Sequence, residues 1–235
     1  MNILGIDTSG PVAACAVQID GRIVHSIQLL HGKTHSEAIM PAIDSALEAS
    51  GLTPNSLDLI GVTVGPGSFT GVRIGVCAAK GLAHANDIPC VAIDSLEALA
   101  MNLYGFAGIV APILDARRNQ VYCAQFDMST GFPVRIAEDQ AIDIETFLAQ
   151  LPFDRKIAFC GDGLDTFRAS IVQLIGERAI FAPSNLRDIH AEAVCALAEN
   201  KLDMQTTGKT LFPLYLRKPQ AERERNARVQ RETLQ

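Results

Sequence analysis

The chain alternates short apolar runs with longer stretches in which apolar residues recur at i, i+3 and i+4. Residues 2–7 (Asn-Ile-Leu-Gly-Ile-Asp) read as a buried strand, residues 12–19 as a second and 22–30 as a third, with Asp20-Gly21 as a tight hairpin turn. A helix is predicted over about 35–50, with Ile39, Ile43, Ala46 and Leu47 as its apolar stripe. Thr34 and Glu37 have the spacing of a capping box, and Pro41 predicts a kink or a restart. Residues 57–64 read as strand, 70–86 as helix, 90–93 as strand and 95–104 as helix. The second half repeats that order: strands 109–114, 121–126 and 134–141, helix 144–151, strand 156–160, helix 167–175, strand 179–181 and helix 190–200. Two βββαβαβα units joined near Gly105–Gly108 predict an α/β fold of two duplicated lobes, 1–106 and 107–217, each with a mixed sheet. A charged tail, 218–235, completes the 235 residues.

Composition narrows the function. Hydrophobic residues make up 48% and charged residues 20%, which is globular and excludes a disordered chain. Net charge is −6, and the tail carries five cations against three anions, so the body is more acidic still, at −8. An acidic body does not attract phosphate backbones, so tight RNA or DNA binding by this chain alone is not expected. The six cysteines are dispersed without Cys-x-x-Cys spacing, which points to buried reduced thiols. No apolar stretch approaches the ~18 residues of a membrane span. With no leader-like segment either, the expectation is a cytoplasmic protein without membrane contact.

The strongest local feature is Gly65-Pro-Gly-Ser-Phe-Thr-Gly71-Val-Arg-Ile-Gly75, a strand running into a Gly-rich turn that opens a helix. Such a turn presents N–H groups to an anion, yet it has neither the Gly-Lys-Ser/Thr of a phosphate-binding loop nor dinucleotide spacing. Gly71, Gly75, Ala79 and Ala83 then line one helix face with almost no side chain, while the other faces carry Val72, Ile74, Val76, Ala78 and Leu82. A helix apolar nearly all round is covered all round. Either it is a central core helix, or the small-residue face receives a helix of another subunit beside Ile39, Ile43 and Leu47, since small residues let backbones approach closely. Asp7-Thr8-Ser9 ends the first strand where a carboxylate and hydroxyls would meet a metal-bound phosphate, and Gly161-Asp-Gly163 could pass an adenine ribose; a plain turn is the alternative at each. His31 and His35 have His-x-x-x-His spacing with no third ligand, and His190-x-Glu192 lacks the Pro-Cys-x-x-Cys of a deaminase.

Five motifs in order make the chain resemble the bacterial TsaB (YeaZ) family: Ile3-Leu-Gly-Ile-Asp7-Thr-Ser9, His35-Ser-Glu37-x-x-x-Pro41, Gly65–Gly75 with Ala79-Lys-Gly-Leu-Ala83, Leu114-Asp-Ala-Arg117-Arg118 with Val121-Tyr122, and Pro213-Leu-Tyr215-Leu-Arg217. Where the family has Gly-Glu before Val-Tyr, this chain has Asn119-Gln120; Asn tolerates the same left-handed turn. The resemblance implies actin-like (ASKHA) lobes and a non-catalytic scaffold and activator in the synthesis of threonylcarbamoyladenosine on tRNA. It implies pairing with the transferase TsaD, recruitment of the ATPase TsaE, and self-pairing in isolation. TsaD-like sequences carry a metal-binding Asn-His-x-x-x-His, whose histidine positions Ser95 and Leu99 occupy here, so no metal is expected there. Asp7, Thr8, Ser9, Gly161 and Gly163 then become a vestigial nucleotide site, with no tightly bound cofactor and at most weak ATP or ADP binding. The competing reading is a stand-alone kinase, ATPase or peptidase of the same fold. It needs phosphate loops in both lobes or a nucleophile–base pair; Arg117-Arg118 stand in the second loop, and no such pair is evident.

Overall fold

The computed structural model describes residues 1–30 and 34–217. The expectation for the tail 218–235 and that for His31 lie outside the described residues. The first half forms β1 (Asn2–Asp7), β2 (Ala13–Ile19), β3 (Arg22–Leu29), α1 (His35–Ala49), β4 (Leu59–Gly65), α2 (Phe69–Asn86), β5 (Cys90–Asp94) and α3 (Ser95–Met101). The second half forms β6 (Ile109–Asp115), β7 (Gln120–Asp127), β8 (Val134–Asp143), α4 (Ile144–Ala149), β9 (Ile157–Cys160), α5 (Leu164–Ile175), β10 (Ala179–Phe181) and α6 (Ala191–Asn200). Both sheets have one topology, β3-β2-β1-β4-β5 and β8-β7-β6-β9-β10. In each, the hairpin-connected strands pair antiparallel and the strands reached through helices pair parallel. This is the α/β fold of two like halves, each with a mixed sheet, that the repeat predicts.

Helix α1 runs unbroken through Pro41, which sits on its exposed side. The Glu37 carboxylate accepts from Thr34 N at 3.0 Å and Thr34 Oγ1 at 2.7 Å, as the capping-box spacing predicts. Helix α5 opens three residues earlier than predicted, at Leu164, because Leu164 and Phe167 both point into the core.

The packing departs from the chain order. Helices α1 and α2 cover the outer face of the first sheet, and α4 and α5 the outer face of the second. Helix α6 lies on β1, β2 and β4, in the lobe opposite its own strands, and α3 bridges from β4 and β5 to β6 and β7. Residues 107–217 therefore do not close a lobe of their own. Residues of both halves share one central core, including Leu96, Leu99, Phe126, Val194 and Leu197. Polar links cross the same seam. Arg135 on β8 bridges Asp139 and Asp94, which caps α3, and Lys201 pairs with Glu97. Burial first, and then the Asp139 carboxyl beside it, push the Asp94 carboxyl well above the ordinary range.

Candidate functional site

The small-residue stripe of α2 faces inward. A Cβ built on Gly71 would stand 2.1 Å from the Thr8 carbonyl oxygen, and one on Gly75 would stand 2.4 Å from Thr8 Oγ1. Thr8 Oγ1 in turn donates to Gly71 O at 2.7 Å, which fixes α2 on the end of β1. Ala79, Ala83, Ile39, Ile43 and Leu47 are buried in the same cluster. The expectation that Gly71, Gly75, Ala79, Ala83, Ile39, Ile43 and Leu47 form an outward partner face is corrected: all seven hold α1 and α2 onto their own sheet. The outward side of α2 carries a second small or apolar stripe, Thr70, Ile74, Cys77, Ala78, Gly81 and Ala85, with exposed Arg73 and His84 along its edge. A Cβ on Gly81 would meet nothing within 4 Å. Met40 and Pro41 are exposed on neighbouring α1. Sequence reasoning missed this stripe because α2 carries two small-residue faces, and periodicity alone does not say which turns inward.

The Gly-rich turn is a crossing point of backbones. Gly65, at φ +116°, would put a Cβ 2.5 Å from Leu214 O, and Gly67 would put one 2.4 Å from Ser9 O. Ser68 N donates to Ser9 O at 2.7 Å, and Ser68 Oγ accepts from Gly71 N at 3.2 Å. The amide of Ser68 is thus spent on the protein itself, not on an anion.

Asp7, Thr8 and Ser9 are likewise committed. Asp7 Oδ1 accepts from Ser9 N, Ser9 Oγ and Thr63 Oγ1 at 3.1, 2.7 and 2.5 Å. Burial pushes the Asp7 carboxyl up, against the lowering effect of these bonds. In the second lobe Gly161, at φ +102°, donates to Arg187 O, and Gly163 donates to Ile113 O. A Cβ on Gly161 would lie 2.0 Å from Ile113 O, so this glycine is required by the crossing of its own chain. His35 Nε2 donates to Gly10 O at 2.8 Å. Several polar groups of these turns are therefore engaged by the chain itself.

Between the lobes lies a cleft of about 480 Å³, lined by the Ser9–Pro11 turn, His35, the Pro66–Phe69 turn, the Leu114–Arg117 hairpin, Asp162 and residues 214–217. Its volume suits a small molecule, and its lining mixes Asp115 and Asp162 with His35, Arg117 and Arg217. Asp162 Oδ1 accepts from Asp115 N at 2.9 Å, and burial raises the Asp162 carboxyl to about 6. Arg117, Arg118 and Asn119 all lie at left-handed φ of 63°, 57° and 61° in the hairpin beside it. Asn119 adopts the turn geometry expected of it, and the two arginines share it. No group of three His, Cys, Asp or Glu side chains suited to a metal occurs among the described residues. Ser95 and Leu99 are buried on α3.

The Asp162 shift has a measurable consequence. Its carboxyl keeps a proton up to about pH 6 in the folded chain but only to about pH 4 when unfolded, so stability falls as pH rises between those values. Asp162→Asn keeps the acceptor for Asp115 N and removes the charge. It is expected to stabilise the fold by about 1–2 kcal/mol at pH 7.5, a gain that vanishes below about pH 4. Urea melts of both proteins at the two pH values check this.

A family model described as TsaD, tRNA N6-adenosine threonylcarbamoyltransferase, matches residues 29–225. The chain is 34% identical over 223 residues to the tRNA threonylcarbamoyladenosine biosynthesis protein TsaB of Bacillus subtilis, covering 94% of this chain and 96% of that protein. The tRNA N6-adenosine threonylcarbamoyltransferase of Chlorobium limicola is 38% identical over 112 residues, but these span only 32% of its length. Among solved structures, YeaZ from Pseudomonas aeruginosa superimposes with a TM-score of 0.80 at 26% identity, covering 92% of this chain and 99% of that one. A full-length match to the biosynthesis protein against a partial match to the transferase separates the two branches: the chain belongs to the TsaB (YeaZ) family of tRNA threonylcarbamoyladenosine biosynthesis proteins.

Proposed function

We propose that the chain is a non-catalytic subunit of the threonylcarbamoyladenosine machinery: a cytoplasmic scaffold and activator that pairs with the transferase TsaD, supports recruitment of the ATPase TsaE, and pairs with itself when alone. The observation that carries this reading is the bare outward stripe of α2. Gly81 costs an exposed helix about 1 kcal/mol relative to alanine, and a Cβ there would meet nothing within 4 Å among the described residues. A partner helix that must approach closely does require it. The stripe is small and apolar between exposed Arg73 and His84 at its edge, and among the described residues no helix is long and apolar enough to cross a membrane.

Three further features favour an accessory role. The Asp7 and Gly161 turns spend their polar groups internally, so they do not fit a tightly held nucleotide, and ATP or ADP would bind weakly at most. The second-lobe hairpin carries two arginines in place of glycine and hydroxyl groups. The acidic body leaves tRNA to be reached through the partner. Reconstitution tests the reading. The chain alone is expected to form no threonylcarbamoyladenosine and to turn over no ATP, while adding it to TsaD and TsaE raises product formation at least about tenfold, an effect within the usual range for coupling between subunits. Product formed by the chain without TsaD would overturn it.

A further inference from the structure

The segment after α6 returns over the first lobe and then crosses the cleft. Thr206 and Cys90 exchange backbone hydrogen bonds at 2.8 Å, Leu211 O accepts from Lys80 Nζ at 3.0 Å, and Leu211 is buried beneath α2. Leu214 N donates to Val64 O at 2.7 Å. Tyr215 stacks on Phe69 with centroids 4.8 Å apart, and its hydroxyl accepts from Arg73 Nε at 2.7 Å. The Arg73 guanidinium lies 4.0 Å above the Phe69 ring. Two residues on, Arg217 Nη1 donates to Ala116 O at 3.0 Å. One short segment is thus fixed to α2 and the Gly-rich turn at one end and to the second-lobe hairpin at the other. Residues 214–217 also form one wall of the cleft.

We propose that residues 211–217 are a latch that sets the opening of the interlobe cleft and ties it to helix α2. The geometry favours a device over plain packing. The hairpin it grips holds three consecutive residues in the left-handed region, two of them arginines, a conformation that persists only where its surroundings enforce it. Ala116 contributes both groups: its N–H donates to Gln120 O at 2.9 Å within the turn, while its carbonyl accepts from Arg217 Nη1. Charged donors make the stronger hydrogen bonds, so this contact holds the hairpin against the strap. Tyr215 and Arg73 carry the same restraint to the surface of α2. The proposal concerns contacts inside the chain alone and stands apart from the partner reading above.

Amide hydrogen exchange on the full chain, without partner, tests it. The amides of Ala116 and Gln120 report the hairpin, that of Leu214 the strap, and those of β1 and β9 the sheets. Arg217→Ala is expected to speed exchange at Ala116 and Gln120 about tenfold with the sheet amides unchanged. Tyr215→Phe keeps the stack but removes the acceptor for Arg73, and is expected to speed exchange at Leu214 and, less, at the hairpin. Arg217→Lys, which keeps the cation and one donor, gives a smaller change of the same sign and serves if the alanine variant fails to fold. Unchanged hairpin amides in the Arg217 variants, or equal acceleration of hairpin and sheet amides, would overturn the latch.

Discussion

Gly71→Ala is expected to destabilise the folded chain by about 3 kcal/mol, among the largest effects of any single methyl group added to this protein. The added Cβ would lie 2.1 Å from the Thr8 carbonyl oxygen, a backbone atom held in place at the end of β1. A flexible side chain could swing aside; this backbone cannot. Helix α2 would have to lift, lengthening the Thr8 Oγ1–Gly71 O bond and opening the packing of Val72 and Val76 behind it. Gly81→Ala, ten residues along the same helix, is expected to do the reverse. Its Cβ enters open space, and replacing glycine by alanine in an exposed helix gains about 1 kcal/mol. Denaturant midpoints of the two variants measure the contrast directly. A Gly71→Ala protein as stable as the parent would mean that α2 does not sit on Thr8.

The second large effect concerns association. Gly81→Glu should leave the melting temperature within a degree or two of the parent, because the position is exposed in the chain. It should nonetheless abolish pairing with TsaD and self-pairing at micromolar concentration. A carboxylate placed where two helices approach closely must be desolvated without a partner, and bulk at that point forces the helices apart. Sedimentation of the variant alone and mixed with TsaD gives the answer. The paired result, folded but monomeric, separates an interface from a core position. Gly75→Glu should instead unfold the chain, since its Cβ already meets Thr8 Oγ1.

The contrast between Gly71 and Gly81 also shows how far the sequence can be read. The twofold βββαβαβα repeat was legible because strand and helix periods are local, and each apolar run had the right length for its element. The capping box at Thr34 and the left-handed Asn119 were legible for the same reason. The orientation of α2 was not. Both its faces carry a stripe of small residues, and the contact that decides between them joins residues 63 apart. The placement of α6 across the opposite sheet was equally hidden, because a buried apolar helix matches either lobe. The motif Pro213–Arg217 was visible as a pattern. Its role as one wall of the cleft depends on Leu214 N reaching Val64 O, a pairing that no local rule predicts. At the cleft, residue types alone suggested a nucleotide turn at Asp7–Ser9, whereas the hydrogen bonds that consume those groups emerge only in three dimensions.

The docking surface can be tested without any substitution. Cys77 lies in the outward stripe of α2 and is exposed, while the other five cysteines are buried. Alkylation of the dilute native chain should therefore modify Cys77 first, since thiol reactivity requires access. With TsaD added until sedimentation shows the chain fully bound, the account predicts that alkylation of Cys77 slows by at least about tenfold and recovers when the complex is diluted apart. A fully assembled complex in which Cys77 reacts as fast as in the free chain would contradict it.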